Sequence, residues 1–147
     1  APNYYLHDCV VPRTRRVEIL ERVEAIAAHH DLVIMNVFHA GDGNLHPLIA
    51  FDRRDPEQMD RVRRAGEEII HACVAVGGVL SGEHGIGLEK RDYMPLTFGA
   101  VDLDAQARAR DAFDPSGRLN PAKVLPAGSR CGELVLGAGD LPEGTWL

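Results

Sequence analysis

Along the first half of the chain, apolar positions form strand-like runs, switch to helical spacing, and switch back. Tyr4 to Val11 reads as a strand closed by Pro12. Val17, Leu20, Val23, Ala27 and His30 recur near one stripe, predicting a helix that Thr14 caps and that runs to about His30. Two apolar runs, Leu32 to Phe38 and Leu45 to Phe51, flank Asp42-Gly43, the strongest short-range signal for a hairpin turn. A second helix opens at Asp55-Pro56-Glu57-Gln58, with Asp at the cap, Pro at the first position and Gln three beyond the cap. Met59, Val62, Gly66, Ile69, Ile70 and Cys73 then repeat until Gly77-Gly78 ends it, and His71 falls off that stripe as a solvated histidine. Val79 and Leu80 predict a short strand. Asp102 to Ala112 predicts a helix capped by Asp102 or Asp104, followed by a turn at Asp114-Pro115-Ser116-Gly117 and an extended Leu119-Asn120-Pro121. This element order predicts an α+β layer, an antiparallel sheet with helices packed on one face. Residues 127–147, rich in Gly and Pro, read as a poorly ordered C-terminal tail, and there is no internal repeat.

Composition narrows the function classes. At 147 residues and 45% hydrophobic content the chain suits one domain, and 5% aromatic content makes its core mostly aliphatic. A net charge of −6 without a basic run argues against a nucleic-acid partner. Arg13, Arg15 and Arg16 form the only tight basic cluster, either a solvated face or a binding group at a helix start. Cys9, Cys73 and Cys131 are odd in number and widely spaced, which suits reduced thiols in a cytoplasmic protein, with Cys73 in the core. No apolar run reaches the length of a membrane span and no signal peptide is visible. The chain starts at Ala1 directly in strand-like sequence and is read as a fragment.

The chemistry concentrates in two segments. With Asp42 and Gly43 as a two-residue loop, Gly41 faces Asn44, Ala40 faces Leu45 and His39 faces His46, the last pair with Cβ atoms roughly 5 Å apart on one face. Such histidines either share a metal ion or hydrogen-bond each other and the backbone. Ser81-Gly82-Glu83-His84-Gly85-Ile86-Gly87 adds a carboxylate and a further imidazole. Two His and one Glu with a position left open form a catalytic rather than a structural ligand set. His84 is placed either as the proton acceptor beside ligand Glu83 or as a satisfied structural histidine, and both neighbours reach one site only if Gly82, Gly85 and Gly87 bend the chain. Asn44 either reaches substrate or stabilises the turn that Asp42 serves. Lys90 and Arg91 either receive an anion or are surface charges. No dinucleotide or Walker fingerprint is present, so an oxidation here needs an electron acceptor bound elsewhere.

His39-Ala40-Gly41-Asp42-Gly43-Asn44-Leu45-His46-Pro47, Ser81-Gly82-Glu83-His84-Gly85-Ile86-Gly87 and Asn120-Pro121-Ala122-Lys123 resemble the C-terminal half of FAD-linked 2-hydroxy-acid oxidoreductases of the vanillyl-alcohol oxidase superfamily. Tyr4-Tyr5, Val11-Pro12-Arg13 and Cys131-Gly132-Glu133 add a likeness to the FAD-binding catalytic subunits of glycolate oxidase. The resemblance implies that residues 1–126 are the C-terminal part of a ferredoxin-like cap domain whose flavin domain is absent. It implies FAD as cofactor, a divalent ion (Zn, Mn or Fe) on His39, His46 and Glu83, His84 as base, Asn44 in the substrate pocket and Asn120 on the FAD side. Glycolate or D-lactate is the implied substrate, oxidised with a hydride from C2 to the flavin. D-2-hydroxyglutarate, with its second carboxylate, would want further cations near the pocket. Further oxidase subunits are implied partners, placing the protein in the cytoplasm or at the membrane periphery through them. The chain departs from relatives in lacking the cap segment with a carboxylate-binding arginine, and in having Leu6 near where some carry lysine. It is therefore expected to be inactive alone. The competing classes are a stand-alone metallohydrolase using the same three ligands, and a non-catalytic assembly module.

Overall fold

In the computed structural model, which describes residues 3–126, the chain runs β1 (Asn3–Leu6), β2 (Cys9–Val10), α1 (Arg16–His29), β3 (Val33–His39), β4 (Asn44–Phe51), α2 (Pro56–Ala75) and α3 (Ala100–Phe113). Short 3-10 turns lie at Arg13–Arg15 and Arg91–Leu96. The described residues form two compact units that divide between Gly85 and Ile86.

In the first unit every strand meets β4. β3 runs antiparallel along one of its edges, and β1 and β2 follow each other antiparallel along the other. The short strand expected at Val79-Leu80 is reduced to a single antiparallel bridge from Val10 to Val79, beyond β2. This is the α+β arrangement expected from the sequence, with the ferredoxin-like strand order. The single first strand read over Tyr4–Val11 is instead two, although Leu6↔Leu48 and Cys9↔Leu45 keep one register. Pro47 explains the break: its carbonyl accepts from the His7 N–H at 3.0 Å, but proline has no N–H to return.

Alternation along β4 decides which side carries what. Leu45, Ile49 and Phe51 join Ile19 and Val23 of α1 and Val62, Ala65, Ile69 and Cys73 of α2 in one core. Asn44, His46, Leu48 and Ala50 therefore point to the opposite face. On β3 that face carries Val33, Met35, Val37 and His39, and the three apolar side chains are exposed. The site thus adjoins an uncovered apolar surface.

The helices follow their signals unequally. Asp55 caps α2 by accepting from the N–H groups of Glu57 and Gln58 at 3.0 and 3.1 Å. Gln58 turns away from the cap to accept from the Asp52 N–H. In α1 the expected cap fails: Thr14 lies in the 3-10 turn, and no side chain caps the helix. The buried stripe is rotated as well, with Ile19 and Val23 inside and Val17 exposed. Docking against α2 sets that rotation, which spacing alone does not.

Gly66 marks the closest approach of α2 to the first strand. A Cβ there would stand 2.7 Å from His7 Nε2 and 3.1 Å from Tyr5 Cε1. Both rings are constrained, since His7 is fully buried and packs edge-on against Tyr5 at 4.4 Å. Gly66→Ala should therefore destabilise the protein by about 1–3 kcal/mol through overpacking, despite alanine's better helix propensity. Urea unfolding checks this, and an unchanged or raised midpoint would refute it.

The second unit holds α3, which starts at Ala100, two residues before the expected start, because the Asp102 carboxylate reaches back to the Gly99 N–H at 2.9 Å. The Asp114 turn forms as read, its carboxylate accepting from the N–H groups of Arg118 and Leu119. Residues 119–124 are turns rather than an extended segment: Asn120, Ala122 and Val124 all have positive φ, and Arg110 donates to the carbonyls of Leu119, Asn120 and Lys123. Lys90 and Arg91 are buried rather than surface charges, and Arg91 donates to the Ala122 carbonyl at 2.7 Å. The tail read over residues 127–147 lies outside the described residues.

Candidate active site

The β3–β4 hairpin closes two residues earlier than an Asp42-Gly43 loop would require. His39 pairs with Asn44 and Val37 with His46, leaving Ala40–Gly43 as the loop, so the expected His39–His46 register is corrected. Asp42 does serve the turn, its carboxylate accepting from the Asn44 N–H at 2.9 Å, while the Gly43 N–H reaches the His39 carbonyl at 3.3 Å. Gly43 has φ +87°, and a Cβ there would overlap the Val11 carbonyl oxygen. Its own carbonyl accepts from the Val11 N–H at 3.1 Å. Arg16 donates to the Ala40 carbonyl and Arg13 to that of Gly41 at 3.4 Å, so part of the basic cluster holds the loop. A two-residue shift keeps each side chain on its face. His39 and His46 consequently remain diagonal neighbours, with ring centroids 5.3 Å apart and rings nearly perpendicular.

Glu83 joins them through a residue that the sequence reading missed. Asp8 is fully buried, and in the register set by the flanking pairs it lies opposite His46. Its carboxylate accepts from the N–H groups of Gly82, Glu83 and His84 at 2.9–3.1 Å and from the Ser81 hydroxyl. Successive N–H groups turned toward one anion form a nest. That curvature lets Glu83 and His84 serve one site although neighbours on an extended strand point apart. Gly82 is required by proximity, since a Cβ would stand 2.8 Å from Asn44 Nδ2. Burial pushes the Asp8 carboxyl up, but the Ser81 hydroxyl and the three N–H groups together outweigh it and hold the group well below the usual carboxylate range. The available signal was the polar pair His7-Asp8 inside an otherwise apolar strand.

Three imidazoles converge on one carboxylate oxygen. Glu83 Oε1 lies 2.9 Å from His46 Nε2, 3.5 Å from His84 Nε2 and 3.7 Å from His39 Nε2. One ligand atom each from His39, His46 and Glu83 fall within 4.8 Å of one another. Ligands bound to one tetrahedral ion at about 2.0–2.1 Å are separated by about 3.3 Å, so small side-chain rotations suffice. His46 is 8% exposed, whereas His39, Glu83 and His84 are about half exposed, leaving an open side. His84 stacks on His46 at 5.1 Å and 23°. Asn44 is buried beside Gly82, and its Oδ1, like His46 Nδ1, has no hydrogen-bond partner. Two imidazoles and a carboxylate are a donor set that fits a divalent ion, with the unpaired amide oxygen of Asn44 close by.

A family model for the C-terminal domain of FAD linked oxidases matches residues 1–124. The chain belongs to this family. Similar relatives include the glycolate oxidase subunit GlcD of Escherichia coli (strain K12), 44% identical over 133 residues, 90% of this chain and 27% of that protein. The subunit of the same name in Bacillus subtilis (strain 168) is 37% identical over 88% of this chain and 27% of its own length. The mitochondrial D-lactate dehydrogenase [cytochrome] of Arabidopsis thaliana is 31% identical over 81% and 21%. The chain spans about a quarter of the length of these relatives.

Within this FAD linked oxidase domain, His39, Asn44, His46, Glu83 and His84 all come together in the first unit. Asn120 belongs to the second unit, where its side chain accepts from Lys123 Nζ at 3.3 Å. Among the described residues, no helix is long and apolar enough to cross a membrane.

Proposed function

We propose that this chain is the substrate- and metal-binding C-terminal part of a flavin-dependent 2-hydroxy-acid dehydrogenase or oxidase of the glycolate or D-lactate class. The observation that carries this reading is the convergence of three imidazole nitrogens on Glu83 Oε1, in a domain whose relatives are named for glycolate and D-lactate. His39, His46 and Glu83 would hold a divalent ion (Zn, Mn or Fe), which would supply Lewis-acid polarisation of the substrate hydroxyl, and FAD would supply the acceptor for the C2 hydride.

This chain's residues do the rest. His84, held by stacking on His46 and by its N–H to Asp8, takes the hydroxyl proton at Nε2. Asn44, whose amide oxygen is buried and unpaired, is the substrate contact in this reading. The exposed Val33, Met35 and Val37 beside the site offer an apolar surface to the flavin domain, and Asn120 is a FAD-side contact in the assembled protein. Further oxidase subunits are the partners this reading implies. Glycolate and D-lactate differ by one methyl group, a discrimination worth about 1–3 kcal/mol in the pocket.

The test is metal content by inductively coupled plasma mass spectrometry, on protein purified without chelator or affinity metal. About one equivalent of transition metal should separate the unaltered protein from His39→Ala/His46→Ala. Equal metal content in the two would overturn the ligand assignment.

A further inference from the structure

We propose that His29, His30 and Glu68 form a second transition-metal site, on the helical layer rather than on the face of the sheet that carries His46. His30 is buried, with Nε2 2.8 Å from Glu68 Oε1 of α2. Adjacent helical residues normally diverge by about 100°. Here α1 ends at His29, and His30 leaves it with φ −92° and ψ 2°. The two rings consequently meet at 4.8 Å and 78°. One ligand atom from each of the three residues lies within 4.8 Å of the others, as is also true at His39, His46 and Glu83.

The site sits at the C-terminal end of α1, the negative end of the helix dipole, although Arg22 and Arg64 line the same cavity as Glu68. Two imidazoles and a carboxylate suit borderline ions such as Zn²⁺ or Cu²⁺. A plain His30–Glu68 hydrogen bond explains two of the residues and gives the exposed His29 no part. With an ion in place, α1 and α2 are joined by coordinate bonds, so metal should raise thermal stability as well as bind.

Zinc is titrated into metal-stripped protein by calorimetry, with thermal unfolding followed in parallel. In a His39→Ala/His46→Ala background one equivalent should still bind and raise the Tm. Adding His29→Ala and Glu68→Gln, both at exposed positions, should weaken that binding at least tenfold and abolish the shift, while the metal-free Tm stays near that of the background. His29→Ala/Glu68→Gln alone should remove one of two equivalents, which keeps the test valid if the background variant folds poorly. Binding unchanged by the His29 and Glu68 replacements, or absent from the background variant while that variant is folded, overturns the proposal. Neither outcome bears on the first site, which is judged by the difference that His39 and His46 make.

Discussion

On the proposed function, replacing His84 with Asn should lower turnover of the full-length protein by about 10²–10⁴-fold, the usual contribution of a positioned general base. Asparagine preserves the backbone N–H that Asp8 accepts, so the loop stays folded. Metal content should stay near that of the unaltered protein, because His39, His46 and Glu83 remain. The separation of these readouts is what identifies a base. A matched fall in metal and turnover would make His84 a ligand, and its Nε2, 3.5 Å from Glu83 Oε1, is near enough for that. Unchanged turnover would remove it from the chemistry. Stopped-flow measurement of flavin reduction isolates the step concerned, since product release does not enter it.

Asp8→Ala should be the most damaging single change for stability, costing about 3–5 kcal/mol. One carboxylate satisfies three backbone N–H groups and a hydroxyl, and alanine leaves those donors facing an empty, buried space. For a chain of this size that corresponds to a Tm lowered by on the order of 10 °C. The effect should depend on pH with a definite sign. The folded-state pKa is depressed, so Asp8's stabilisation is fully present above its unfolded value near about 3.9 and is lost as pH falls toward the folded value. Urea unfolding of both proteins should therefore show a wide gap at pH 7 that narrows below about pH 4. A gap that is constant with pH would mean that the loss comes from packing rather than from the charge. Asp8→Ala should also reduce metal retention, since the loop carrying Glu83 loses its anchor.

These two residues show different degrees of legibility. His84 stood out because a carboxylate and an imidazole among glycines is a local pattern, and so did the hairpin histidines. The hairpin loop was misplaced by two residues, yet the sheet's period of two kept His39 and His46 on one face. Asp8 left only the weak trace of a polar pair in an apolar strand. Its partners are 73 to 76 residues away, and no local rule ties a polar residue in the first strand to a glycine loop. Of the two readings open for Lys90 and Arg91, anion receivers or surface charges, the second failed the same way, because burial of Arg91 depends on a carbonyl that arrives from a distant turn.

The sequence by itself determined most of the elements and the side chains they carry. The Asp55-Pro56 helix start, the Gly77-Gly78 stop and the alternation along β4 act over a few residues through capping, backbone freedom and side-chain direction. The imidazoles of His39 and His46 and the carboxylate of Glu83 are equally local features. Tertiary structure alone decided how α1 rotates against α2, where the ladder beside Pro47 breaks, and that the Asp8 carboxylate gathers the Glu83–His84 loop over the hairpin. The reason is physical: hydrogen bonds to a buried charge, and packing between elements, are set by partners that only folding brings within a few ångströms.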